Sequence, residues 1–278
     1  MLERFGIINR ARDVANAYMR RPLGVEGVDV SHWQGRVDWE LVSGAGVRFA
    51  YIRATQGVDI IDRMLEGNAR HIDGVMPHGF YHFGTWYNAD ERRPHVDAVA
   101  EAEHFVRSCE SARRYPFARG QLPPMLDVEL SGRAQKGPRD RWDKKPGDHM
   151  SYAAVTDWIL SFAERCDELT GRTTGIYTGR YFVLGEPKKQ ARGIGMGNIP
   201  HLDDRPLWLA QYNRGAAPKK PIEGWRTQIW QYTGSGKCPG IKGRVDRNAF
   251  LGTRGDFLRL LGYDTLLDFT DEEIAGVV

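Results

Sequence analysis

The 278-residue chain is 41% hydrophobic and 27% charged, with 39 basic against 36 acidic side chains. That apolar share supports a sizeable core and excludes intrinsic disorder, while a net charge of +3 lacks the concentrated basic footprint of a nucleic-acid binder. No apolar run approaches the roughly 18 residues of a membrane span, so stable membrane insertion is not expected.

Residues 1–23 read as a basic amphipathic helix with Phe5, Ile8, Ala15 and Tyr18 near one face and a net charge of +3. The opening Met1-Leu2-Glu3-Arg4-Phe5-Gly6 has no apolar stretch of the secretory kind. From residue 24 onwards, short β-rich runs alternate with helical patterns. The expected strands are Gly24–Val30, Val47–Arg53, His78–Phe83, Pro124–Leu130, Thr173–Thr178, Leu207–Tyr212, Gln228–Thr233 and Arg244–Phe250. Helices are expected over Asp90–Arg113 and Ser151–Thr170, the latter with Val155, Ile159, Phe162, Ala163 and Cys166 on its apolar face, Ser151 as N-cap and Gly171 as its stop. Between them a Lys/Arg-rich loop, Ala134–Met150, which contains Trp142, is expected to overhang the site as a solvated flap. Residues 263–278 carry a net charge of −5, and Thr270 with Glu273 has the spacing of a capping box.

Strand–helix alternation argues for a parallel sheet with helices outside it. Eight strands in about 230 residues make a single α/β domain the expectation: an irregular (β/α) barrel of the TIM type over residues 24–262, crowded at its last three strands. The segments 1–23 and 263–278 stand as extensions that either pack on the barrel or dock a partner or a second copy. Three widely spaced cysteines, Cys109, Cys166 and Cys238, match neither a zinc pattern nor a disulfide framework and read as buried thiols folded in a reducing compartment.

Functional side chains of such a barrel project from the C-terminal ends of strands. Asp29 ends the first strand, Asp127 and Glu129 end the fourth, and Asp246 lies at the start of the eighth, so four carboxylates converge on one mouth. Asp127 and Glu129 are two apart and share one face of the strand, with Leu126 and Val128 turned towards the helices. Paired carboxyls resist double ionisation, so one keeps its proton and serves as a general acid, the arrangement that glycosidic cleavage uses. Tyr81, Trp86, Tyr177, Trp208, Tyr212, Trp230 and Tyr232 fall at or beyond strand ends, where flat rings make platforms for sugars.

The segment Gly27-Val28-Asp29-Val30-Ser31-His32-Trp33-Gln34-Gly35 resembles the opening motif of glycoside hydrolase family 25, the N-acetylmuramidase type of lysozyme. The resemblance continues in order through Tyr51-Ile52-Arg53-Ala54-Thr55-Gln56-Gly57, Gly79-Phe80-Tyr81-His82-Phe83, Leu126-Asp127-Val128-Glu129 and Ile176-Tyr177-Thr178-Gly179. It ends with Leu207-Trp208-Leu209-Ala210-Gln211-Tyr212, Ile229-Trp230-Gln231-Tyr232-Thr233 and Val245-Asp246-Arg247-Asn248. It implies hydrolysis of the β-1,4 bond between N-acetylmuramic acid and N-acetylglucosamine in bacterial peptidoglycan. Glu129 would be the general acid, Asp127 would orient the reacting acetamido group, and Asp29 and Asp246 would complete the acidic floor. Tyr81, Tyr177, Trp208 and Gln231 would contact sugar. No metal or organic cofactor is implied, and His32, His78 and His82 read as hydrogen-bonding histidines.

The expected setting is bacteriophage lysis: an endolysin held in the host cytoplasm until lysis, or a virion-associated lysin. The alternative is a carbohydrate-binding or structural virion barrel with little catalysis. An acid pair has no use in a pure binder, which favours the enzyme.

Overall fold

A computed structural model describes residues 24–86, 89–129, 152–179, 202–213 and 224–263, with Gly215, 217–219 and Ile222 between the last two segments. The expected N-terminal helix, the acidic tail from Asp264 with its Thr270–Glu273 pair, the loop Ala134–Met150 with Trp142, and the Ser151 cap lie outside the described residues.

The elements follow in chain order as β1 (Val25–Val30), α1 (Trp39–Gly44), β2 (Phe49–Gln56), β3 (Ile60–Ile61), α2 (Leu65–Ile72), β4 (His78–Phe83) and α3 (Pro94–Ala112). They continue with β5 (Met125–Val128), α4 (Tyr152–Thr170), β6 (Gly175–Gly179), β7 (Leu207–Ala210), β8 (Thr227–Gly236), β9 (Val245–Phe250) and α5 (Arg254–Leu260). All strands but β3 close into a ring of eight, because β1 pairs with β2 on one side and with β9 on the other. The short β3 is an antiparallel appendage of β2.

The expected strands all form, and one feature departs from an all-parallel sheet. From β1 through β2 and β4 to β8 the neighbours are parallel, but β9 runs antiparallel to both β8 and β1. The segment between Gly236 and Val245 is too short for a crossover, so β8 and β9 form a hairpin.

Two apolar layers hold the barrel. Between strands and helices lie Val28, Ile52, Phe80, Leu126 and Val128, packed against α3 and α4 through Phe105, Trp158, Ile159 and Phe162. The buried residues of α3, Ala98, Glu101, Ala102, Phe105, Val106 and Cys109, recur at the spacing of one helical face, and Pro94 occupies the first turn, where its missing N–H costs nothing. The expected apolar face of α4 is buried, and its end is set by Gly171, whose φ of +67° and N–H bond to the Asp167 carbonyl at 2.8 Å make a left-handed stop.

The second layer fills the lumen with Phe49, Tyr51, Met125, Trp208, Ile229 and Phe250, closed below by Phe257 and Leu261. Gly27 makes this possible: a Cβ there would lie 2.2 Å from Phe49 Cζ. Cys109, Cys166 and Cys238 are free and buried, and burial pushes the Cys166 thiol up to about 12.

Behind β2 and β4 a polar chain is sealed in the helix layer. His82 contacts Thr55 Oγ1 through Nδ1 at 2.7 Å and Glu101 Oε2 through Nε2 at 2.6 Å, and Glu101 also accepts from the Thr85 backbone and hydroxyl. This chain ties α3 to the loop that leaves β4.

Candidate active site

The mouth of the barrel is a cleft of about 280 Å³. Its lining includes Asp29, Asp127, Glu129 and Asp246 together with Tyr81, Tyr177, Trp208 and Gln231, so the structure brings all eight expected site residues together. Alternation along the strands accounts for the placement. Asp127 points into the lumen while Leu126 and Val128 join the helix layer. Strand β5 ends at Val128, and Glu129 lies one residue beyond it, still on the cleft side. The antiparallel β9 puts Asp246 directly opposite Asp29, and Asn248 opposite both Gly27 and Gln231.

Asp29 is the most constrained of the four. Its Oδ2 accepts from Gln231 Nε2 at 3.1 Å and from Asn248 Nδ2 at 2.8 Å. Each amide is itself oriented. Gln231 Oε1 accepts the hydroxyls of Tyr177 at 3.0 Å and Tyr212 at 2.9 Å, and Asn248 Oδ1 accepts Trp208 Nε1 at 2.8 Å. Aromatic donors thereby fix both amides with their N–H groups towards Asp29. By contrast, buried Asp127 Oδ1 has no hydrogen-bond partner among the described residues.

Burial raises the pKa of all four, and repulsion from neighbouring carboxylates adds to it for Asp29, Asp127 and Glu129. Burial is the main cause for Asp29, followed by the Asp246 charge, with the two amides pulling the other way. Asp127 is raised by burial and then by Glu129, and lowered by Arg53. Burial and the Asp246 charge bring Glu129 up to about 7, and burial brings Asp246 up to about 6. Glu129 is therefore a carboxylic acid that keeps its proton near neutrality.

The aromatic residues divide into two kinds. Trp208 is only 1% exposed, stacked on Tyr51 at 4.8 Å with the edge of Tyr177 against it, so it serves as lumen packing and as a donor to Asn248. Trp230 and Tyr232 are not in the cleft: Trp230 is buried with its Nε1 on the Gln211 carbonyl, and Tyr232 donates to Glu26. Trp86 packs edge-on against Trp158. Open ring faces come instead from Trp33, 76% exposed, and Tyr212, 61% exposed. Gly234 lets Tyr212 approach Asp246, since a Cβ there would sit 2.9 Å from the tyrosine hydroxyl and 3.1 Å from Asp246 Oδ1.

Arg53, Asn248 and Asp62 are the residues that strand-end reasoning did not select. The histidines each have hydrogen-bonding partners: His32 at Asp62, His78 at the Met76 carbonyl, and His82 in the sealed chain above. Among the described residues no group of three His, Cys, Asp or Glu side chains is arranged to hold a metal ion. A second cavity, about 290 Å³, opens at the other end of the barrel. Its arginines are engaged structurally, Arg172 by the carbonyls of Phe117, Gln121 and Leu260, and Arg226 and Arg259 by Asp256.

The sequence profile of the glycosyl hydrolases family 25 matches residues 28–241. Lysozyme M1 of Streptomyces globisporus is 31% identical over 243 residues, covering 85% of this chain and 71% of that protein. The N,O-diacetylmuramidase of Chalaropsis sp. is 28% identical, covering 82% of this chain and 99% of the fungal one. Among solved structures, the bacterial lysozyme of Streptomyces coelicolor superposes with a TM-score of 0.65 at 29% identity, covering 86% of this chain and 97% of that one. With the profile spanning most of the barrel and a relative of this identity matched over most of its length, the chain belongs to the glycosyl hydrolases family 25.

Proposed function

We propose that this enzyme hydrolyses the β-1,4 bond between N-acetylmuramic acid and N-acetylglucosamine in bacterial peptidoglycan. The observation that carries the reading is the quartet of carboxyls at the mouth, two buried and two half-buried, with Glu129 held at about 7 beside Asp127. The named activities of its lysozyme and muramidase relatives support it.

In this mechanism Glu129 donates its proton to the glycosidic oxygen as the C1–O bond breaks. The acetamido carbonyl oxygen of the same sugar attacks C1, with Asp127 accepting the acetamido N–H through its unpartnered Oδ1. The Glu129 carboxylate then takes a proton from the water that opens the cyclic intermediate, and the anomeric configuration is retained. Asp29 and Asp246 supply the negative field that favours the positive charge developing at C1. Trp33 and Tyr212 offer ring faces to flanking sugars.

The catalytic unit is taken as residues 24–262, with 1–23 and 263–278 as appended segments for docking. Action on the cell wall as a bacteriophage lysin, free or virion-borne, is the setting we infer, and killing of susceptible bacteria would follow from it. The opposite charges of the two appended segments, +3 and −5, support docking to a virion or to a second copy.

The test is to incubate wild type and E129Q with purified cell walls and to identify the released reducing ends by mass spectrometry. Muramic-acid reducing ends from the wild type and at least about a hundredfold loss in E129Q are expected. Glucosamine reducing ends would refute the bond assignment, and undiminished E129Q activity would refute the role of Glu129. An inverted anomeric product seen by NMR would refute the acetamido route.

A further inference from the structure

One wall of the cleft is a contiguous assembly of which the steps above use only the Trp33 ring face. It begins with Trp33, whose indole lies against the ring of His32 at 4.5 Å between centroids. The His32 ring touches Arg53, and all of it is gripped by Asp62. Asp62 Oδ2 accepts the His32 backbone N–H at 3.0 Å and Arg53 Nε at 2.9 Å, and lies 2.8 Å from Arg53 Nη2. Its Oδ1 accepts the Met64 backbone N–H at 2.9 Å. With its side chain only 1% exposed, Asp62 is a buried anchor that fixes an aromatic face and a guanidinium relative to one another.

The guanidinium is not fully consumed. Nε and Nη2 face Asp62 and His32, while Nη1 has no hydrogen-bond partner among the described residues, and Arg53 lines the cleft. Among the described residues lining that cleft it is the one cation, set against four carboxyls. An anionic substrate group entering this site meets repulsion everywhere except at Arg53.

We propose that Trp33 and Arg53 form a subsite for an acidic sugar, the indole taking a face of the pyranose and Arg53 Nη1 the carboxylate of its lactyl ether. The proposal rests on the muramidase reading, and it makes Arg53 the residue that separates N-acetylmuramic acid from N-acetylglucosamine. Asp62 is a positioning residue that acts on the lactyl contact through Arg53, and its hold on the His32 backbone N–H is one that an Asn at this position keeps. When a stem peptide caps the lactyl group, the same nitrogen meets a neutral amide carbonyl, so the contact persists with less strength.

The test is done in E129Q, so that ligands are bound and not cut. Affinities are measured by calorimetry for a GlcNAc–MurNAc tetrasaccharide with free lactyl carboxylates, the same glycan bearing stem peptides, and chitotetraose. Removing Arg53 alone would strand the buried Asp62 charge, so the variants are R53K, which keeps the cation, and R53Q/D62N, which removes both charges. E129Q is expected to favour the free-lactyl ligand over chitotetraose by about tenfold, as one charge-assisted hydrogen bond allows. R53Q/D62N should abolish that preference and leave chitotetraose affinity within about twofold, and R53K should retain part of it. W33A should weaken all three ligands alike. An unchanged preference in R53Q/D62N, an equal loss for chitotetraose, or a loss confined to the peptide-bearing ligand would overturn the proposal. Failure of the muramidase reading shows elsewhere, as missing muramic reducing ends from the wild-type enzyme.

Discussion

Replacing Asp246 with Asn removes one negative charge from the site without removing bulk. The structure specifies what should change. Glu129 is raised to about 7 by burial first and by the Asp246 charge second. Relative to an ordinary carboxyl, that displacement disfavours ionisation by about 3 kcal/mol. Burial is unaltered in D246N, so less than half of this is lost, and the pKa of Glu129 falls by about one pH unit, towards 6. The sign follows directly: with less repulsion Glu129 ionises more easily, and the acid form disappears at lower pH. At pH 7 the protonated fraction drops from about one half to about one tenth, roughly a fivefold loss, whereas at pH 5 it stays near complete. The assay is kcat/KM on a soluble peptidoglycan fragment from pH 4.5 to 8.5. The basic limb of the profile should move to lower pH, and the plateau on its acid side should drop as the field at C1 weakens. A uniform loss with the limb in place, or a limb moved to higher pH, would refute the electrostatic coupling.

Two half-buried carboxyls of the site make a stability prediction. Glu129 and Asp246 bind protons more tightly in the folded chain, at about 7 and about 6, than an unfolded chain does at about 4. Their contribution is fully present below about pH 4 and is lost as pH rises towards 7. Melting temperature should therefore fall between pH 4.5 and 7.5, and E129Q and D246N should fall less; identical slopes in wild type and variants would count against it. G27A probes the lumen: its Cβ would lie 2.2 Å from Phe49 Cζ, so a loss of about 1–3 kcal/mol is expected, with partial recovery in G27A/F49L by thermal melting. No recovery in the double variant would remove Phe49 as the cause.

Much of the site was legible because period-two alternation and strand ends fix both the depth and the direction of a side chain. Asp29, Asp127 and Asp246 needed only those rules. The direction of β9 was less apparent, because alternating Val245, Asp246, Arg247 and Asn248 reads the same in either sense. The short link after Gly236 was the available signal. Trp208 within β7 and Trp33 in the turn after β1 both come at strand ends, yet one is packed into the lumen and the other stands open, a difference decided by stacking on Tyr51 from a distant strand. Asn248 reaches Asp29 across 219 residues, and Asp62 reaches Arg53 from a loop with no periodicity of its own, so neither role could be read from local spacing.

The reversed β9 also determines where the rest of the chain attaches. Val25 and Phe250 are paired neighbours, so the chain enters the barrel and leaves its last strand at the base, remote from the carboxyls. In a ring of eight parallel strands, entry and exit would lie at opposite ends, and one of them would crowd the mouth. Here both attachment points, before β1 and after α5, lie at the closed floor. A tether fixed at that end would hold the enzyme to a surface from the side opposite its carboxyls.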